Sequence, residues 1–319
     1  MRKELPAVAA MGLLFVTAIM LGMVTSSILP AEYRVFGERT GAFENSLYLF
    51  AVVLVFTAVI LAIAKWGRAR LIQIIILAAV GMSVFYVSYP PLAVAGLGGL
   101  GLWGGVDAAL LLAALIGALA VVALYRYPEW YVIDATGVAM AAGVTAIFGI
   151  SLQTSVVIVA LIIFAIYDYI SVHQTKHMIA LADSVMDLRL PVMLVIPKKL
   201  PYSFLKQKRL KLQLEEKSER EAMFMGLGDI VFPGMLVVSS LVFLQGDVTT
   251  ALGLRSNLAV ALGTLAGCIA GFLVLMRLVL KGDPQPGLPL LNGGAIAGYL
   301  LSALLVYGHP GLTLPGLGV

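Results

Sequence analysis

Nine separate runs of about 20 mostly apolar residues dominate this sequence, and they constrain the fold more than any other feature. They cover about 7–29, 46–64, 71–89, 106–124, 130–150, 156–174, 223–243, 257–280 and 287–307. A run of that length matches the hydrocarbon thickness of a bilayer when helical. Only 12% of the residues are charged and the mean hydropathy is +1.01. So few charges cannot coat a water-soluble surface of this size, whereas a lipid-facing surface needs none. The expected class is therefore an all-α polytopic membrane protein with nine transmembrane helices.

Direction follows from the basic residues. Arg2, Lys3, Lys65, Arg68, Arg70, Arg126, ten in the stretch from Lys176 to Arg220, Arg277 and Lys281 fall on one side of a nine-span arrangement. Arg34, Arg39 and Arg255 fall on the other. The basic side is cytoplasmic, which puts the amino terminus inside and, after an odd number of crossings, the carboxyl terminus outside. The same bias accounts for the net charge of +4 without invoking nucleic acid. The first run follows Arg2 and Lys3, exceeds a signal-peptide core and lacks a clear small-residue cleavage site, so it reads as a retained helix. Trp66, Trp103, Trp130, Tyr89, Tyr125 and Tyr127 fall at span ends, where amphipathic rings sit at headgroup level.

Three portions result: residues 1–174 with six spans, a cytoplasmic loop over 175–222, and residues 223–319 with three spans. The loop carries Leu190-Pro191-Val192-Met193-Leu194-Val195-Ile196-Pro197. This piece is too short to cross a bilayer and is bracketed by prolines, so it is expected to be extended or interfacial. The single cysteine, Cys268, lies in an apolar span and excludes an intrachain disulfide or a Cys-pair redox site.

Ionisable groups inside spans are costly and point to function. Asp107 and Asp134 lie near span ends, where snorkelling or a polar neighbour satisfies them. Asp168 and Asp229 lie deeper. Asp168 precedes Lys176 by eight residues on a span running toward the cytoplasm, and Asp229 follows Glu221 by eight on the span that returns. At the helical rise both sit about 12 Å from their flanking charges, so they reach one depth on consecutive spans and can pair. Two carboxylates a few ångströms apart do not both ionise, and one then serves as base while the other keeps a proton. This is the chemistry of an aspartic protease, in which a trapped water attacks a peptide carbonyl and neither metal nor nucleotide is needed.

The neighbouring residues suit an opened backbone. Gly226 and Gly228 weaken the start of the seventh span and permit close approach of another chain. Pro233 has no amide hydrogen to give the carbonyl four residues before it. Before the ninth span, Asp283-Pro284-Gln285-Pro286-Gly287-Leu288-Pro289 holds three prolines on the cytoplasmic side, level with the two aspartates, and an extended segment there would line a pocket.

Together these elements resemble the GxGD intramembrane aspartyl proteases, the presenilin and signal peptide peptidase family. The resemblance rests on Tyr167-Asp168, on Gly226-Leu227-Gly228-Asp229 with Pro233 after it, and on Pro286-Gly287-Leu288 before the last span. Where the family has Pro-Ala-Leu, this chain has Pro286-Gly287-Leu288. The resemblance implies cleavage of peptide bonds in transmembrane segments of membrane proteins or signal peptides. It also implies Asp168 and Asp229 as the catalytic pair, with Tyr167, Gly226, Leu227, Gly228, Pro233, Pro286, Gly287 and Leu288 shaping the site or binding substrate. The short loops resemble the archaeal homologues and imply a prokaryotic cell membrane. No cofactor or metal is implied.

A proton- or cation-coupled transporter using the same Asp pair is the alternative, although no inverted halves support it. His173 and His177 stand one helical turn apart without a third ligand to complete a metal site. Gly263, Gly267 and Gly271 in the eighth span, with Gly294 and Gly298 in the ninth, form small-x-x-x-small patterns that pack helices within the chain or in a homo-oligomer.

Overall fold

The fold is described from a computed structural model covering residues 4–66, 69–99, 101, 107–172, 193–198, 202, 222–246, 249–250, 253–281 and 285–312. Nine α-helices occur among these residues: α1 Leu5–Ser26, α2 Glu44–Lys65, α3 Ala69–Val94, α4 Ala108–Arg126, α5 Trp130–Ser151, α6 Thr154–Ile170, α7 Gly228–Phe243, α8 Ser256–Val279 and α9 Gly287–Tyr307. Each lies on one of the predicted apolar runs. Six contain stretches long and apolar enough to cross a membrane, while the apolar stretches 44–60, 154–170 and 228–243 are shorter. Most of the predicted 175–222 loop, His173, His177, Trp103, Asp283, Pro284 and the end of the tail lie outside the described residues.

The expectation of an all-helical chain needs one correction. Met193–Pro197 forms strand β1 and Ala222–Gly226 forms strand β2, paired antiparallel from Met193 opposite Gly226 to Pro197 opposite Ala222. The seventh run therefore begins as strand, and its helix starts five residues later than the apolar pattern suggests, at Gly228. Five apolar residues carry no periodicity that separates strand from helix, and the partner that decides the matter lies far away in sequence.

Two compact units divide the chain. The first comprises Met1–Ala18, Phe56–Gly143 and Lys176–Leu227. In it α3 packs on α4, where a Cβ on Gly117 would stand 2.8 Å from the Gly81 carbonyl oxygen, so the helices approach backbone to backbone. Ile63, Ile72, Val80, Val84, Leu124, Ile133 and Val195 of β1 form one buried cluster. Asp107 caps α4, its side chain accepting the Ala109 amide at 2.8 Å, which satisfies an orphan donor of the first turn.

The second unit comprises Ile19–Val55, Val144–Thr175 and Gly228–Val319, and brings α6, α7, α8 and α9 together. The glycine patterns pack α8 on α9 within the chain. A Cβ on Gly267 would lie 2.7 Å from the Gly298 Cα, and one on Gly294 would lie 3.0 Å from the Gly271 Cα. Asn292 of α9, fully buried, donates to the Leu161 carbonyl of α6 at 3.0 Å. Gly308, at φ 76°, ends α9 in the left-handed conformation and returns its amide to the Leu304 carbonyl.

Candidate active site

The first turn of α9 is the element on which the two deep aspartates meet. A helix leaves its first four amides without internal partners, and a proline there loses nothing. Pro286 is the extended cap of α9, and Gly287, Leu288 and Pro289 are already helical. The expected extended segment is thus shorter than anticipated, because the prolines fit a helix's first turn rather than delaying it. Pro289 has no amide to offer, which leaves those of Gly287 and Leu288 to be satisfied from outside.

Asp168 meets that need. It stands in the last turn of α6, is buried, and accepts the Leu288 amide on Oδ2 at 3.1 Å, with the Gly287 amide also directed to the carboxyl. Asp229 is the second residue of α7. A Cβ built on Gly287 would stand 2.9 Å from Asp229 Oδ1 and 3.2 Å from its Cγ and Oδ2. The carboxylate therefore rests against the Gly287 backbone, in space that any larger residue would occupy. One residue pair, Gly287-Leu288, touches both carboxyl groups.

Aromatic rings buttress the two aspartate helices. Phe164, one turn before Asp168, packs on Phe232, one turn after Asp229, with ring centroids 4.1 Å apart. Phe50 of α2 meets Phe164 edge-on at 5.5 Å and Tyr167 at 5.7 Å. Tyr167 thus packs against Phe50 and is 39% exposed. Pro233 is buried inside α7.

The GxGD segment straddles a change of structure. Gly226 is the last residue of β2, opposite Met193, and Gly228 opens α7. Between them Leu227 is buried in the first unit against α5, where a Cβ on Gly137 would stand 3.4 Å from Leu227 Cδ2. Asp134, expected to snorkel or find a polar partner, does the latter: it is buried and accepts the Val195 amide of β1 on Oδ1 at 2.7 Å.

Sequence reasoning overlooked Phe50, Phe164, Phe232 and Asn292. The spacings Phe164 to Asp168 and Asp229 to Phe232 each place a ring on the carboxylate's helix face, and Asn292 is a carboxamide within a span. Those were the available signals.

A many-helix membrane chain with two span carboxylates on one helix terminus has the plan of an intramembrane aspartic protease. The family described as signal-peptide peptidase, presenilin aspartyl protease matches residues 10–307, and the chain belongs to it. Two solved structures of a presenilin family intramembrane aspartate protease are similar. One, in space group C222, is 32% identical with a TM-score of 0.67, over 93% of this chain and 99% of that one. The other, in space group P2, is 33% identical with a TM-score of 0.64, over 93% and 97%. No curated protein matches. The chain is accordingly a multi-pass integral membrane protein and an aspartic endopeptidase of the intramembrane type, acting on transmembrane segments within lipid.

Proposed function

We propose that Asp168 and Asp229 are the catalytic pair and hydrolyse peptide bonds in the transmembrane segments of membrane proteins or signal peptides by activating a water held between them. The supporting observation is that both carboxyl groups rest on Gly287-Leu288 at the start of α9. In the reaction, the ionised partner takes a proton from the water as its oxygen attacks the scissile carbonyl. The protonated partner gives its proton to the carbonyl oxygen. As the first carboxyl returns its proton to the amine nitrogen the C–N bond breaks, and a hydroxyl proton of the tetrahedral intermediate goes back to the second carboxylate, leaving an acid, an amine and the starting pair. No step uses a metal or nucleotide.

In this reading Pro286, Gly287 and Leu288 form the wall that orients the pair. Tyr167 and Pro233 shape the aspartate helices, and Gly226, Leu227 and Gly228 set the passage from β2 into α7. The amino terminus and the loop over 175–222 face the cytoplasm of a prokaryotic cell and the carboxyl terminus faces outside, as the basic residues dictate. Preferred substrates then have an external amino terminus. Equal cleavage of a substrate inserted in the opposite direction would remove that preference.

The test is cleavage of a transmembrane peptide by purified protein in lipid, with products weighed by mass spectrometry. The native chain is expected to cut, and Asp168→Asn and Asp229→Asn to lose at least about a thousandfold in rate, within the range for a general acid or base. Undiminished cleavage by either variant would refute the assignment.

A further inference from the structure

Asp134 is a buried carboxylate that the proposed mechanism does not use. It stands one turn inside α5 and is 5% exposed. Its Oδ1 accepts the Val195 amide at 2.7 Å, and among the described residues its buried Oδ2 has no hydrogen-bond partner. A carboxyl group placed so expensively in a membrane protein is not there for solubility.

Its partner shows what it holds. Val195 is the central residue of β1, opposite Phe224 of β2. Because its amide turns to Asp134, ladder bonds to β2 fall to the alternate residues Leu194 and Ile196. The carboxylate thus occupies the middle of the outer edge of β1, and Pro197, at the end of that strand, has no amide to offer. One turn further along α5, a Cβ on Gly137 would stand 3.1 Å from Leu194 Cδ2 and 3.4 Å from Leu227 Cδ2. The same α5 surface therefore clamps β1 through a polar bond and receives both Leu194 and Leu227. Leu227 is separated from Asp229 by Gly228 alone.

We propose that Asp134 is a positioning residue for the protease reaction: by fixing the Val195 amide it locks the β1–β2 pair onto α5, and with it the Leu227-Gly228 junction from which Asp229 projects. This rests on Asp229 being catalytic. The group that matters is an oxygen acceptor at the Oδ1 position, not a negative charge. Asn supplies that acceptor in the same shape, and Leu does not.

The experiment compares native protein, Asp134→Asn, Asp134→Leu, Val195→Pro and the Asp134→Leu/Val195→Pro double variant in lipid, by cleavage kinetics and amide hydrogen exchange. Asp134→Asn is expected to keep kcat within about threefold and to leave Val195 exchange slow. Asp134→Leu is expected to lower kcat by about tenfold or more, with KM within about twofold, and to speed exchange across β1. Val195→Pro removes the donor at a strand edge that tolerates proline, and should lower kcat similarly. The double variant should be no slower than the worse single, since both remove one bond. Loss of activity in Asp134→Asn equal to that in Asp134→Leu would overturn the proposal, as would full kcat in Asp134→Leu or additive losses in the double variant. Unchanged β1 exchange in Asp134→Leu would do the same, and that measurement stands whether or not the native chain cleaves the chosen peptide. Should Asp134→Leu fail to fold, Val195→Pro carries the comparison with Asp134→Asn.

Discussion

Adding one methyl group at Gly287 separates catalysis from stability. Gly287→Ala gives this chain the Pro-Ala-Leu of the family, yet on this chain's backbone the new Cβ would stand 2.9 Å from Asp229 Oδ1 and 3.2 Å from Cγ. An ordinary contact needs about 3.5 Å, so the carboxyl oxygen has to retreat by roughly 0.6 Å. The retreat is easy for the fold, because the obstructed atom is the end of a side chain that turns about two bonds. At a helical position without positive φ, alanine also restricts the unfolded chain and contributes about 0.4–1 kcal/mol of stability. Catalysis responds differently. A reacting group misplaced by about 1 Å costs on the order of a hundredfold, so a shift near half that size should lower kcat about tenfold, or about 1.4 kcal/mol in the barrier. The assay is steady-state cleavage of a transmembrane peptide by native and Gly287→Ala protein in the same lipid, alongside thermal unfolding. The expected outcome is a melting temperature equal to or above native with a kcat about ten times lower. Native kcat in the variant would show that Asp229 does not need the space beside Gly287, and the geometric argument would fail.

Two further substitutions probe the support of the site. Gly267→Val drives a branched side chain into the Gly298 backbone, 2.7 Å from the Cβ position; overpacking of about 1–3 kcal/mol or more should appear as a lower melting temperature together with lost cleavage, since α9 carries the site. Asn292→Leu removes the bond to the Leu161 carbonyl, and thermal unfolding should register about 0.6 kcal/mol, with about 1.7 as the upper bound for such bonds between membrane helices.

The apolar runs made the helices legible because membrane thickness sets their length independently of tertiary contacts. The start of the seventh was misjudged, since Ala222–Gly226 is apolar enough for a helix and becomes strand through Met193–Pro197. The third runs on past its expected end through Pro90 and Pro91 to Val94. Asp168 and Asp229 stood out by the cost of a carboxylate in an apolar run, but their common level did not follow from eight residues on each side, because Ala222–Gly226 is strand and the helical rise does not hold over the approach to Asp229. Why they converge on α9 was not legible. That depends on Leu288 donating its amide and on Gly287 lacking a Cβ, facts of packing that no spacing encodes. Asp134 was read as a group needing a polar neighbour, but the identity of that neighbour, Val195, lies 61 residues away. The glycine patterns announced close helix packing, while its occurrence between α8 and α9 of one chain emerged only from the fold.

The central claim is that Asp168 and Asp229 act as one unit, and a double-variant cycle on cleavage rate tests it most directly. Native, Asp168→Asn, Asp229→Asn and doubly substituted protein would be compared at single turnover in lipid, with product mass as the readout. Groups that work as a unit are grossly non-additive, so the double variant should be about as slow as either single one. Single losses that multiply in the double variant would mean two independent roles, and would contradict a shared water between the two carboxyl groups.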